Sequence, residues 1–282
     1  MIRGAVILVT GATGNVGRNV VAQLLAEGAE VRAASRSPQH ANPPDEVELV
    51  RADLTAPDVP SAVFDKIDQV FMFPARGPLD GFIRAAARAG VERIVLLSSA
   101  AVADEYLRST PIGAVHAAAE RAVAGSGARW TFVRPGAFMA NDLRWAAGVR
   151  SMGVVRAPYG TAATAPIDER DIAAVAVRAL LGGGHAGKAY QVTGPQALTQ
   201  VERVGILGRV LGRQLRFEEE PVVHAREQLL QQIPPAMADA VLGMLERAVH
   251  APNAVLPTVQ EITGRPPYSY EEWVTHHVAD FR

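Results

Sequence analysis

The chain has 282 residues, enough for one large domain or for a domain with an appended lobe. Hydrophobic residues are 49% and charged residues 20% of it, which supplies a core and excludes a disordered chain. The 28 basic and 29 acidic side chains leave a net charge of −1, which argues against nucleic acid or an anionic membrane as the main partner, and the lack of Cys excludes disulfides, thiolate metal sites and cysteine nucleophiles. No run approaches the roughly 18 apolar residues of a membrane span. The apolar run before Thr10-Gly11 is too short for a secretory leader, so the expectation is a cytoplasmic protein.

In chain order, Ala5–Thr10 is a continuous apolar run with β-branched residues, a strand buried on both faces. Asn15–Glu27 follows with helical spacing of Val16, Val20, Val21, Leu24 and Leu25, closed by Gly28. Glu30–Ser35, Val47–Ala52, Gln69–Phe73, Arg93–Ser98 and Trp130–Arg134 read as further strands, with helices over Leu79–Ala89 and Gly113–Ala124. Strands alternating with helices predict an α/β fold, a Rossmann-type doubly wound parallel sheet. After Phe138 the pattern changes. Helices are expected over Ala140–Ser151, Asp171–Leu181, Gln200–Leu211, His224–Gln232, Ala236–His250 and Tyr270–Phe281, with short strands at Ala189–Val192 and Leu215–Glu219. The expected division is a core over 1–138 and a smaller mixed C-terminal lobe over 139–282 that packs on it, with core elements free to return after 160.

Gly11-Ala12-Thr13-Gly14-Asn15-Val16-Gly17 joins the first strand to the first helix. Glycines let the backbone turn tightly and approach a pyrophosphate, and the helix N-terminus offers free N–H groups and its positive dipole end. The spacing is G-x-x-G-x-x-G, and its place between a buried strand and an amphipathic helix is the context that a dinucleotide loop requires. The second strand ends at Ser35-Arg36-Ser37, with no acid between Val31 and Gln39. An acid there would accept a ribose 2′-OH, whereas Arg with small polar neighbours suits a 2′-phosphate, so NADP(H) is expected in preference to NAD(H).

Several further pieces stand in a fixed order: Arg51-Ala52-Asp53-Leu54, Leu97-Ser98-Ser99-Ala100, His116-x-x-x-Glu120, Trp130–Gly136 (WTFVRPG), Thr193-Gly194-Pro195 and Thr263–Pro267 (TGRPP), then Trp273. Together with VTGATGNVG they resemble, over nearly the whole chain, the NmrA-like NAD(P)H-binding proteins of the atypical and extended short-chain dehydrogenase/reductase superfamily. The resemblance implies that Asp53 and Leu54 hold the adenine edge and that Phe73-Pro74 passes under the ribose. It places Ser98 and Ser99 beside the cofactor, and wraps Pro135, Gly136 and Phe138 around the nicotinamide end. Phe138, Met139 and Trp145 would then wall an apolar substrate pocket, against the alternative that each is core packing.

Alcohol-oxidising members of the superfamily use Tyr-x-x-x-Lys. This chain has two lysines, Lys66 and Lys188, and neither stands four residues after a Tyr. The matching positions on the helix Gly113–Ala124 are His116 and Glu120, which at i and i+4 share a face. Two roles stay open: His116 as proton donor with Glu120 fixing its tautomer, making it a substrate-pocket and catalytic residue, or a structural pair. No ligand spacing suggests a metal. The expected activity is transfer of hydride to a small planar electrophile of quinone or enone type without a Tyr-Lys pair. The alternatives are a non-catalytic NADP(H) sensor acting on a protein partner, and a biosynthetic isomerase or cyclase that keeps the cofactor fold.

Overall fold

The computed structural model describes residues 6–40, 43–75 and 77–282. Ala5, the first residue of the first predicted strand, lies outside them. Nine strands are described: β1 (Val6–Thr10), β2 (Glu30–Ser35), β3 (Glu48–Arg51), β4 (Ile67–Met72), β5 (Arg93–Leu97), β6 (Arg129–Pro135), β7 (Val154–Ala157), β8 (Lys188–Val192) and β9 (Arg216–Glu219).

The chain forms two compact units that interleave in sequence, with Glu169–Gln191 returning to the first. The first comprises Met1–Val102, Ala114–Arg134 and Glu169–Gln191. Its parallel sheet has seven strands in the order β3-β2-β1-β4-β5-β6-β8. Both faces of the central strands are buried, because helices cover each side. Leu8, Val70, Met72, Ile94, Leu96 and Phe132 share one core cluster with Phe82, Ile83, Ala119 and Val123 of helices Asp80–Arg88 and Pro111–Ala124. On the opposite face, helix Gly17–Ala26 packs against helix Glu169–Leu181, and Gln23 Nε2 donates to Arg170 O at 2.9 Å. The strand order reverses between β1 and β4, so the loops leaving their C-terminal ends diverge and open a crevice, the place where doubly wound sheets bind ligands.

The second unit comprises Ala103–Gly113, Pro135–Asp168 and Val192–Arg282. β7 and β9 pair in parallel in it. The expected helix over Ala140–Ser151 is a 3-10 stretch, Met139–Trp145, followed by an α-helix, Ala146–Met152. The expected last helix is two, Tyr270–His276 and Val278–Phe281, broken at His277. Helices Gln200–Leu211 and Tyr270–His276 both start with reciprocal capping boxes, Thr199 with Glu202 and Ser269 with Glu272.

The core of this unit holds a buried charge. Asp142 Oδ2 accepts from Arg203 Nη1 at 2.7 Å and from the Tyr270 hydroxyl at 2.8 Å. Desolvation, with the negative Asp142 beside it, drives the Tyr270 pKa well above that of free tyrosine, so the phenol stays a neutral donor. Three of the motif residues serve this unit's fold. A Cβ on Gly194 would stand 1.9 Å from Pro166 O, Gly264 ends a helix at φ 77°, and Trp273 is fully buried.

Candidate cofactor and active site

A cavity of about 650 Å³ opens at the crevice of the first unit. Its walls are Gly11, Thr13 and Gly14 after β1, Ala34–Ser37 at the end of β2, Ala52–Thr55 after β3, and Phe73, Pro74 and Ala75 after β4. Each segment leaves the C-terminal edge of a neighbouring strand, which is why residues so distant in sequence meet.

The loop geometry follows from its glycines. Gly11 turns with φ +61°, and a Cβ there would stand 2.9 Å from Phe73 Cβ. Gly14 N–H donates back to Gly11 O at 2.9 Å. Gly17 lets the helix start against the turn, since a Cβ on it would lie 2.1 Å from Gly11 O and 3.0 Å from Ala12 Cα. Helix Gly17–Ala26 has no side-chain cap and no acid in its first turn, so neither of these offsets its positive end. Gly17→Ala is therefore expected to destabilise the protein by about 1–3 kcal/mol, the scale of overpacking against backbone, and to weaken nucleotide binding. Gly183, which has open space around it and no positive φ, supplies the neutral Ala control. Melting temperatures of the two variants decide the matter, and equal values would remove the close approach as the reason for Gly17.

Phe73, 47% exposed, lies at the crevice, and its N–H donates at 2.8 Å to the hydroxyl of buried Thr10. At the β2 end Arg36 is exposed, and Ser35 Oγ accepts from Ser37 N–H at 3.2 Å. Across the cavity Asp53 Oδ1 accepts from Thr55 N–H at 2.9 Å and from its hydroxyl at 2.8 Å. Those two bonds, helped by the charge of Arg36, hold the Asp53 pKa below that of a free carboxyl. Leu54 is buried beneath. Asn15 is exposed while Val16 and Gly17 are buried, and none of the three is among the cavity walls.

The expected nicotinamide-side residues fare differently. Ser98 is buried and committed: its N–H donates to Val133 O at 2.7 Å and its hydroxyl to Glu120 Oε1 at 2.6 Å. The hydroxyl proton of Ser98 is therefore engaged by Glu120, and only its oxygen lone pairs are left to accept. Ser99 Oγ accepts from Ala101 N–H at 3.2 Å. Pro135, Gly136 and Phe138 belong to the second unit, where Gly136 N–H donates to Val192 O at 3.3 Å and Phe138 is half-buried. Met139 and Trp145 are 1% and 4% exposed inside that unit's core, so they pack it and do not wall an open pocket.

The expected pairing of His116 with Glu120 is not formed. Glu120 Oε1 and Oε2 instead accept from Arg134 Nε at 2.8 Å and Nη2 at 2.6 Å, beside the Ser98 bond. The motif spacing was visible, but Arg134 was missed. The signal was an Arg at the end of a buried strand, WTFVR, which needs an acid, and Glu120 is the acid supplied by the adjacent helix.

The Nδ1 of His116 is buried without a hydrogen-bond partner. Burial lowers its pKa below 6.5, against the weaker opposing pull of the Glu120 charge. Between the lowered folded value and the unfolded one, the unfolded chain binds the extra proton. Stability is thus intact above about pH 6.5 and falls as pH drops below it. His116→Ala should narrow the loss of melting temperature between pH 7.5 and 5.5 and lower turnover by less than about tenfold, short of the general-acid scale. An unchanged pH gap, or a 10²-fold turnover loss with NADPH affinity intact, would refute this account.

Among the described residues no group of His, Asp and Glu is arranged to hold a metal, and no helix is long and apolar enough to cross a membrane.

The fold and the glycine cradle define a nucleotide-binding protein, and comparison with known proteins gives the class. The family described as NAD(P)H-binding matches residues 11–181. A (4-alkanoyl-5-oxo-2,5-dihydrofuran-3-yl)methyl phosphate reductase of Streptomyces griseus subsp. griseus is 45% identical, covering 98% of this chain and 99% of that one. An NAD(P)H azoreductase of Xenophilus azovorans is 34% identical, covering 98% and 99%. The solved structure of an NADPH-dependent quinone oxidoreductase from Escherichia coli in complex with NADPH superposes with a TM-score of 0.79 at 23% identity, covering 96% and 99%, and shows the fold. This chain belongs to the NAD(P)H-binding family. It is an NAD(P)H-dependent oxidoreductase.

Proposed function

We propose that this chain is an NADP(H)-dependent reductase of small conjugated electrophiles, of enone or quinone type, working without a Tyr-Lys pair. The observation that carries the reading is the cavity, whose walls combine a Cβ-free phosphate cradle with Ser35, Arg36 and Ser37 and no acid at the β2 end. In it Gly11, Thr13 and Gly14 lie at the pyrophosphate, with Asn15, Val16 and Gly17 contributing the helix start. Ser35 and Arg36 take the 2′-phosphate, Asp53 and Leu54 the adenine edge, and Phe73 and Pro74 the ribose. The bound nicotinamide supplies hydride.

The compound named for the 45% identical reductase supports the substrate class. Its ring C=C is conjugated with a lactone carbonyl and an alkanoyl carbonyl, a doubly activated enone. The azo group of the 34% identical relative's substrates is likewise a conjugated acceptor. The test is NADPH oxidation by the purified protein with quinones, 2-acyl butenolides and simple ketones side by side. Activity confined to the conjugated acceptors supports the reading. Tight NADPH binding with no turnover on any acceptor overturns it.

A further inference from the structure

The Ser98–Glu120–Arg134 cluster is not explained by cofactor binding. Arg134 is the penultimate residue of β6, Ser98 directly follows β5, and these strands are neighbours in the sheet. Both residues therefore stand at the C-terminal sheet edge, the same edge from which the cavity walls emerge, and on the far side of β4 from the Arg36 end. In doubly wound sheets the ligand lies across that edge.

Glu120 is 8% accessible at its side chain and takes both Nε and Nη2 of Arg134, with Ser98 fixing its Oε1 from the other side. This fork-to-fork pairing leaves Arg134 Nη1 with no partner among the described residues, yet Nη1 is not among the enclosed unpartnered atoms, and the side chain is 20% accessible. A guanidinium is thus clamped in one orientation with one donor nitrogen left over, at an edge built for a ligand. A purely structural clamp would use Arg134 as well, but would not need its remaining nitrogen accessible.

We propose that Arg134 is a catalytic residue: its Nη1 donates to the oxygen of the substrate on which negative charge develops, and Glu120 and Ser98 are positioning residues for it. The proposal rests on the reductase reading above. The electrons balance without a proton donor. Hydride adds to the β-carbon of the enone, or to a carbonyl oxygen of the quinone, with its two electrons. The C=C pair moves through the conjugated system onto a carbonyl oxygen. That anion, held by Arg134, later takes its proton from water. An arginine guanidinium keeps its charge throughout and serves only as a donor. This is stabilisation by a preorganised donor, not general-acid catalysis. It explains how a site lacking Tyr-Lys can work, and only on acceptors whose product anion is delocalised.

Removing one member of a buried ion pair endangers the fold, whereas removing both is often tolerated. Two variants are therefore compared with wild type. Arg134→Lys keeps the charge but loses the planar fork, and the double variant Glu120→Met/Arg134→Met removes the pair. Each is assayed for NADPH affinity, for kcat on a naphthoquinone and on a 2-acyl butenolide, and for binding of 2-acetyl-γ-butyrolactone, a product-like 1,3-dicarbonyl, to the NADP⁺ complex. The expected results are NADPH affinity within about threefold of wild type and a kcat loss of about 10²-fold or more, the scale of one oxyanion donor. Binding of the dicarbonyl should weaken at least tenfold, and wild-type kcat should be level between pH 6 and 9. Folded variants that keep kcat and dicarbonyl binding within threefold would overturn the proposal, as would parallel loss of NADPH and dicarbonyl binding. Arg134-dependent dicarbonyl binding by a wild type that turns over no acceptor would sink the reductase reading and leave the anion site standing.

Discussion

Arg36→Ala is expected to raise the Kd of NADPH by about tenfold or more and to leave that of NADH nearly unchanged. One charge-assisted bond from a guanidinium to a phosphate is worth about 1.5–3 kcal/mol, and each 1.4 kcal/mol is about a factor of ten in Kd. Three features of the cavity bear on the size of the effect. Arg36 is exposed, so salt screens it and the contact belongs at the lower end of that range. Ser35 and Ser37 flank it, and the Ser37 N–H is already used by Ser35 Oγ, which organises the turn before any ligand arrives. Asp53 lines the same cavity as an anion, so part of the field of Arg36 is cancelled in the free protein. The affinity loss should therefore shrink as ionic strength rises. Titration of both nucleotides against wild type and variant at low and high salt checks all of this. Equal affinities of wild type for NADPH and NADH would take Arg36 out of the argument.

The residues that wall the cavity were legible in the sequence because their signals are local. Gly11, Gly14 and Gly17 act within one turn, and Ser35-Arg36 is read directly from the end of a strand whose bounds were predicted to the residue. The Glu120 cluster is built from pairs that no spacing rule reaches. Glu120 meets Ser98 across 22 residues and Arg134 across 14, and the sheet brings them together because β5 and β6 are neighbours. The i,i+4 rule pointed instead to His116, the nearer polar residue on the helix. Met139 and Trp145 show a second limit. An apolar side chain after a strand reads the same whether it walls a pocket or fills a core, and only burial separates the two. The strand β7 was missed for a third reason: Val154–Ala157 is four residues long and its partner β9 lies about sixty residues on, so nothing nearby marks it. Asp142, Arg203 and Tyr270 were likewise invisible as a network, being 61 and 128 residues apart.

The protein is expected to reduce benzoquinones, naphthoquinones and doubly activated enones with a kcat/KM at least ~10²-fold above that for unactivated ketones such as cyclohexanone, the scale of general-acid catalysis. Reduction of a ketone makes an alkoxide, a strong base that must be protonated as it forms. The chain cannot supply that proton from a Tyr-Lys pair, and its two lysines have no Tyr at the needed spacing. His116 is poorly placed to substitute: its pKa is lowered, so it is neutral at pH 7, and its Nδ1 is buried. Ser98 donates its hydroxyl hydrogen bond to Glu120, and Glu120 is held as an acceptor by Arg134. His116, Ser98 and Glu120 are thus neutral, engaged as a donor and engaged as an acceptor, respectively. A quinone avoids the difficulty, since its reduced form is a phenolate whose conjugate acid has a pKa near that of tyrosine, roughly 10. A doubly activated enone avoids it too, because the charge spreads over two carbonyls. Either anion can leave the site and collect its proton from water. Steady-state rates on the matched set of acceptors, at pH 7 and with NADPH saturating, measure the ratio. Comparable rates on cyclohexanone and on naphthoquinone would mean that a proton donor exists among residues assigned no such role above, and the substrate class would have to be redrawn around it.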